Sequence, residues 1–132
     1  MNAAEIRKWN LKIHSRFWYI SDDPTHDTWK SSAKPFLADP DNYKILDDCD
    51  GLASTTAEIF SILGAQKIWR ILASMDGGPT IDHMVAMVED DLGQRWIVGD
   101  TGNNLPCKLQ DYDGRIFMFN NITDGVNWRP HP

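Results

Sequence analysis

Apolar residues near the N-terminus recur every three or four positions. Ile6, Trp9 and Ile13 share this spacing, which predicts a helix from Ala3 to Ile20 that packs on the core. The end of this segment, residues 17–20, fits an extended strand equally well. A Ser-Asp-Asp-Pro run then stops the helix.

A second helix is predicted from about Cys49 to Leu63, after a loop region with a short helix near Ser31 to Leu37. The acid directly before Cys49 is a typical helix cap, and Gly64 is the residue type that ends a helix in a left-handed conformation. One stripe of this helix is expected to be buried. It contains Leu52, Thr56, Ile59, Phe60 and Leu63.

Downstream of Gly64 the pattern changes to short apolar runs separated by turn residues. The runs typical of strands are residues 67–74, 84–88, 95–98 and 115–119. Turns are predicted at residues 76–79, 89–93 and 113–114. Helices followed by an antiparallel meander indicate an α+β fold. We expect a single domain over residues 1–132.

The composition narrows the class of protein. Of 132 residues, 42% are hydrophobic and six are Trp, which favours a packed globule with its aromatic residues in the core. A net charge of −6 with scattered basic residues argues against a nucleic-acid partner. No apolar run approaches the roughly 18 residues that cross a bilayer, so no membrane partner is expected. With two cysteines and no visible signal peptide, we expect a cytoplasmic protein, or a periplasmic one if a signal was removed.

A thiol, a His and an Asp follow one another in contexts that suit a thiol acyl-transfer site. Cys49 opens the second helix, and His83 and Asp100 flank strand-like runs. If residues 84–88 and 95–98 form a hairpin whose paired positions sum to 183, His83 faces Asp100 on one side of the sheet. A slip of one residue would separate the two side chains.

Each of these residues has a chemical reason to be there. A helix N-terminus and a nearby imidazolium favour the reactive thiolate of Cys49, whereas the carboxylates of Asp48 and Asp50 disfavour it. His83 would act first as a base and then as an acid, and Asp100 would fix its tautomer. The three residues together predict a Cys-His-Asp triad.

Stabilisation of an oxyanion requires hydrogen-bond donors beside the thiol. The backbone N–H of Cys49 is the first candidate, and the hydroxyl of Tyr43 is a candidate for the second. The alternative for Tyr43 is an aromatic ring that packs on the loop. Cys107 is expected to be structural, and the other histidines lack the spacing of a zinc site. They are His14, His26 and His131.

Several short motifs in this order resemble bacterial transglutaminase-like cysteine peptidases, a family that includes a periplasmic adhesin-cleaving protease. They are Asp48-Cys49-Asp50 at a helix start, His83-Met84-Val85 on a strand and Val98-Gly99-Asp100 at the end of the next. Residues 19–23 and 27–31 also resemble the family's approach to its cysteine. The resemblance covers about Trp9 to Asn104.

This resemblance implies a papain-like, transglutaminase-like core, in which a central helix carries the cysteine and packs on an antiparallel sheet. It also implies that Cys49, His83 and Asp100 form the triad. Family members that bind calcium use acids flanking the cysteine, which here are Asp48 and Asp50. The family usually reads Gly-Asp-Cys-Glu-Asp, whereas this chain ends the motif on Gly51. We therefore expect that the protein requires no cofactor and that its calcium binding is weak or absent.

The leading hypothesis is a thiol-dependent peptidase or amide hydrolase acting on a peptide or protein. Hydrolysis, deamidation and transamidation share an acyl-enzyme step and stay open as alternatives. A second hypothesis is a non-catalytic binding or structural module with the same fold, encoded by a bacterium or a phage. A third, an acidic inhibitor, is supported by the net charge alone.

Overall fold

The computed structural model describes residues 1–21, 31–122 and 128–130. The helices are α1 (Ala3–Ser15), α2 (Ala33–Ala38) and α3 (Cys49–Ile62), with a 3-10 turn at Leu109–Asp111. The first four strands are β1 (Phe17–Tyr19), β2 (Ile45–Asp47), β3 (Ile68–Ser74) and β4 (His83–Glu89). The last four are β5 (Arg95–Val98), β6 (Cys107–Lys108), β7 (Arg115–Asn121) and β8 (Arg129–Pro130).

The main sheet has six strands in the order β6-β5-β4-β3-β7-β8, and every neighbouring pair is antiparallel. Helix α3 packs on β3 and β4, the two central strands. Helices on an antiparallel sheet make this an α+β fold, as predicted. The predicted meander is correct only from β3 to β6, because β7 returns to the free edge of β3. That choice of edge is a long-range pairing that no local pattern encodes.

The predicted helix from Cys49 is confirmed, and its ends follow from its caps. The side chain of Asp48 accepts a hydrogen bond from the backbone N–H of Gly51 at 3.0 Å, which satisfies one orphan donor of the first turn. Gly64 lies just after the helix with φ +99°, the left-handed conformation expected there. Residues 51–57 are all buried, so α3 is covered on most sides rather than along one stripe. Leu63, assigned to that stripe, is only partly buried.

The predicted N-terminal helix is too long. It ends at Ser15, and Phe17–Tyr19 forms a strand that pairs in parallel with Ile45–Asp47. The extended alternative for this segment is therefore the correct one. The partner strand is three residues long and has no alternating pattern of its own, so the sequence did not indicate it. No helix in the described part of the chain is long and apolar enough to span a bilayer.

The hairpin of β4 and β5 has a different register from the one predicted. Ala86 pairs with Val98 and Met87 with Ile97, so paired positions sum to 184 rather than 183. The connecting turn contains Gly93 at φ +83° and closes with a bond from the Asp90 N–H to the Gln94 carbonyl. A loop of this length leaves the register to the packing of the two faces. In this register His83 and Asp100 are not cross-strand partners.

Candidate active site

Cys49 is the first residue of α3 and its side chain is half-buried. Its Sγ donates to Oδ1 of Asp50 at 3.4 Å. The helix provides no acceptor for the backbone N–H groups of its first turn. The thiol therefore lies beside the backbone N–H groups of the first turn and the positive end of the helix dipole.

The carboxylate of Asp47 occupies the space beside the start of α3. Its Oδ1 accepts a hydrogen bond from the backbone N–H of Asp48 at 2.9 Å. A Cβ atom at residue 51 would overlap this carboxyl group, so the absence of a side chain at Gly51 makes room for it. Burial raises the pKa of Asp47, and the neighbouring charges of Asp48 and Asp50 raise it further.

His83 and Asp100 are in direct contact. The Nε2 atom of His83 lies 2.9 Å from Oδ1 of Asp100, and the imidazole is buried. His83 is the first residue of β4, whereas Asp100 follows β5 by two residues. Between them Gly99 adopts φ +62°, which turns the chain out of the strand direction. This turn brings the carboxylate to the imidazole in spite of the shifted register.

The pKa values of the pair move in opposite directions. Burial lowers the pKa of His83, but hydrogen bonds to Asp100 and Cys49 outweigh it and raise the pKa to about 9. Burial raises the pKa of Asp100, yet the bond from His83 and the N–H of Gly102 hold it below its usual value. Opposite shifts of this kind favour a charged imidazolium against a charged carboxylate at neutral pH.

Cys49 acts on the same imidazole, since its interaction with His83 contributes to the raised pKa of that residue. Nε2 is engaged with Asp100, so Nδ1 is the ring nitrogen left for the thiol. The structure thus brings His83 and Asp100 into contact, and Cys49 influences the same imidazole. A thiol, an imidazole and a carboxylate that interact in this order can activate the thiol as a nucleophile.

Tyr43 packs its ring against the main core cluster and is partly buried. Among the contacts of the described residues, none joins its hydroxyl to Cys49 or His83. Cys107 is half-buried, its Sγ donates to the Lys108 carbonyl at 3.4 Å, and it lines a cavity together with Asp100. His26, His131 and most of the residues that resemble the family upstream of Cys49, at positions 22–30, lie outside the described residues.

No protein-family model and no curated protein matches the sequence. Solved structures do match. EGTA-treated LapG of Legionella pneumophila aligns over 98% of this chain and 67% of its own, with a TM-score of 0.64 and 19% identity. The chain has the fold of LapG. Calcium-bound LapG aligns over 97% of this chain and 73% of its own, with a TM-score of 0.61 and 19% identity.

Because that LapG structure is calcium-bound, we asked whether the acids beside Cys49 could hold a calcium ion. Asp48 uses Oδ1 to cap the N–H of Gly51, and Asp50 uses Oδ1 to accept from the thiol. Gly51 supplies no oxygen from a side chain. Over residues 1–21, 31–122 and 128–130, no group of three or more His, Cys, Asp or Glu side chains is arranged to hold a metal ion. This donor set does not fit Ca²⁺, which takes six to eight oxygen ligands.

One residue near the site was missed by the sequence analysis. Asn10 lies between Ile6 and Ile13 on the buried face of α1 and is itself buried. Its side chain reaches the loop that carries Asp100. A polar residue in an apolar stripe was the signal that could have identified it, since a buried amide needs hydrogen-bond partners.

Proposed function

We propose that this protein is a thiol-dependent acyl-transfer enzyme, a peptidase or amide hydrolase, that uses Cys49, His83 and Asp100. The observation that carries the proposal is the 2.9 Å bond between His83 and Asp100 beside a cysteine at a helix start. The fold of LapG, a periplasmic adhesin-cleaving cysteine protease, supports a papain-like core and this class of activity.

In the proposed mechanism the reactive pair is a thiolate and an imidazolium. With a pKa of about 9, His83 is charged at neutral pH, and its charge favours the thiolate of Cys49. The sulfur attacks the carbonyl carbon of the scissile amide and forms a C–S bond. His83 then donates its proton to the departing amine, the C–N bond breaks, and a thioester remains.

Deacylation reverses the proton path. Neutral His83 takes a proton from water, the oxygen attacks the thioester carbonyl, and the thiolate of Cys49 leaves. Asp100 holds the imidazole ring in place and stabilises its charge through the bond to Nε2. An amine in place of the water would give transamidation by the same steps. None of these steps uses a metal ion.

The oxyanion formed in each step needs donors near the sulfur. The backbone N–H of Cys49 is the first, because the helix leaves it without an internal acceptor. The hydroxyl of Tyr43 is kept as a candidate second donor, with packing as the alternative role. The other candidates are a backbone N–H and Trp29, which lies outside the described residues.

The substrate class is a peptide or protein. A cavity of about 310 Å³ borders Asp100 and has room for a side chain of a substrate. Its apolar surface includes Met75 and Tyr112. The periplasmic location of LapG supports the periplasmic alternative over the cytoplasmic one. Nucleic acid and membrane are not proposed as partners.

A non-catalytic module is the second candidate, and the acids around the thiol favour it. Asp47, Asp48 and Asp50 surround Cys49, and negative charge disfavours a thiolate. In that case the fold is retained for binding and Cys49 is inert.

Cleavage of an unbiased peptide library, read by mass spectrometry, separates the two candidates. The wild type is expected to cleave peptides, and Cys49→Ser and His83→Gln are expected to abolish cleavage. Cys107→Ser controls for the loss of a thiol: Cys107 lines the cavity beside Asp100 but is not the proposed nucleophile, so cleavage should persist even if its rate changes. Cleavage that persists in Cys49→Ser would refute the proposed nucleophile. If neither the wild type nor any variant cleaves peptides, the binding module is favoured.

A further inference from the structure

A single buried side chain holds both ends of the loop that carries Asp100. Asn10 of α1 accepts a hydrogen bond at Oδ1 from the backbone N–H of Gly99 at 3.0 Å. Its Nδ2 donates to the carbonyl of Asn104 at 2.9 Å. Asn10 is 2% exposed; its bond to Gly99 is buried and its bond to Asn104 is partly buried. The loop between the two anchors is residues 99–104.

The first anchor lies where the chain direction changes. Gly99 has φ +62° and is buried, and a Cβ atom there would lie 2.8 Å from the side chain of Thr56 on α3. The turn at Gly99 is therefore confined between α1 and α3. The N–H that Asn10 binds belongs to the residue that redirects the chain toward His83.

Within the loop, the direction of the Asp100 carboxylate depends on the backbone around it. Its Oδ1 accepts from the N–H of Gly102 at 2.9 Å and also contacts His83. The carbonyl of Asp100 accepts from the N–H of Asn103 at 3.2 Å. Because the bonds from Gly102 and Asn103 are internal to the loop, a shift of the whole loop would carry the carboxylate away from the imidazole.

We propose that Asn10 is a positioning residue that aims Asp100 at His83 by fixing both ends of the loop. A primary amide suits this role because it offers one acceptor and donors on the same group. The catalytic consequence rests on the proposed function, whereas the structural claim concerns only the His83–Asp100 contact. A displacement of about 1 Å at such a contact costs about 10²-fold in rate.

Two substitutions distinguish positioning from general stability. Asn10→Leu keeps the size of the side chain and removes both hydrogen bonds. Thr55→Val is the matched control, because it removes a bond from the N–H of Ser32 to another fully buried side chain at 3.0 Å. Both are expected to lower the unfolding temperature. Only Asn10→Leu is expected to change His83.

The readout is the titration of the His83 ring by NMR, without substrate. The groups that face this ring are Asp100 from the loop and Cys49 from α3, and His14 of α1 acts on Asp100 in turn. In Asn10→Leu the His83 pKa is expected to move from about 9 toward 6.5, in the same direction as in Asp100→Asn. In Thr55→Val it is expected to stay at the wild-type value.

A folded Asn10→Leu variant whose His83 titrates as in the wild type would overturn the proposal. If Asn10→Leu does not fold, Asn10→Asp keeps the acceptor for Gly99, removes the donor to Asn104 and is judged by the same criterion. The titration is independent of turnover. A wild type that cleaves no peptide while His83 responds to Asn10→Leu would refute the proposed function and leave the positioning role standing.

Discussion

His83 and Asp100 are hydrogen-bonded at 2.9 Å although they do not lie opposite each other in the β4–β5 ladder. The ladder ends at Val98, and Gly99 then turns the chain with φ +62°. The contact therefore depends on a loop and not on strand pairing. A loop can hold a carboxylate this closely only when its own position is fixed, here by α1 and α3 through Asn10 and Thr56.

The raised pKa of His83 predicts how stability depends on pH. A folded-state pKa of about 9 against an ordinary value of 6.5 means that the folded protein holds the proton more tightly. The stabilisation is fully present below pH 6.5 and is lost as pH rises through about 9. The free energy of unfolding of the wild type, measured with urea, should fall over this pH range. The free energy of unfolding of His83→Gln should change less with pH over the same range. If the free energy of unfolding depends on pH in the same way in both proteins, the raised pKa of His83 is contradicted.

The overlap between Asp47 and a side chain at residue 51 predicts a coupling. Gly→Ala within a helix normally stabilises by about 1 kcal/mol. In the wild-type background, Gly51→Ala should raise the free energy of unfolding by less than this amount, or lower it. The reason is that the Asp47 carboxyl must move and lose its bond to the N–H of Asp48. In an Asp47→Ala background the full gain should return. We expect a coupling of about 0.5–3 kcal/mol in the double-mutant cycle, and additive effects would show that the overlap is relieved freely.

Calcium binding is predicted to be weak or absent. Asp48 is used as a helix cap, and Gly51 supplies no third carboxylate. Isothermal titration calorimetry with Ca²⁺ should give a flat trace, and the unfolding temperature should be the same in calcium and in EGTA. Sub-micromolar affinity that is lost in Asp50→Asn would contradict this prediction and establish a site at the start of α3.

The role of Tyr43 is tested by removal of its hydroxyl alone. If the hydroxyl is the second oxyanion donor, Tyr43→Phe should lower turnover about 10²–10³-fold. The packing of its ring on the core cluster supports the other role, for which turnover and stability are both retained. Tyr43→Ala serves as the comparison, since it removes the ring as well. The kcat of Tyr43→Phe on a cleavable peptide decides between the two roles.

Local sequence patterns were sufficient to predict α3 and the four main strands. The start of α3 was predictable because Asp48 caps it, and its end because Gly64 is left-handed. The four main strands were predictable from their apolar runs. The pairing of β1 with β2 was not, because two three-residue segments far apart in the chain carry no pattern that identifies them as partners.

The candidate site shows the same division. The order of Cys49, His83 and Asp100 predicted a triad, and the predicted register that joined the last two was wrong by one residue. Their contact arises from Gly99 and from Asn10, which lies almost ninety residues earlier in the chain. Interactions at that separation depend on tertiary packing, which the spacing of residues along the chain does not reveal.

The most direct test of the proposed triad is the rate at which iodoacetamide labels each cysteine in the native protein. Cys49 should react faster than Cys107, whose pKa is raised by burial and by nearby carboxylates. His83→Ala should slow labelling of Cys49 and leave Cys107 unchanged, because the imidazolium favours the thiolate of its own partner only. Equal labelling rates at Cys49 with and without His83 would contradict the proposed triad.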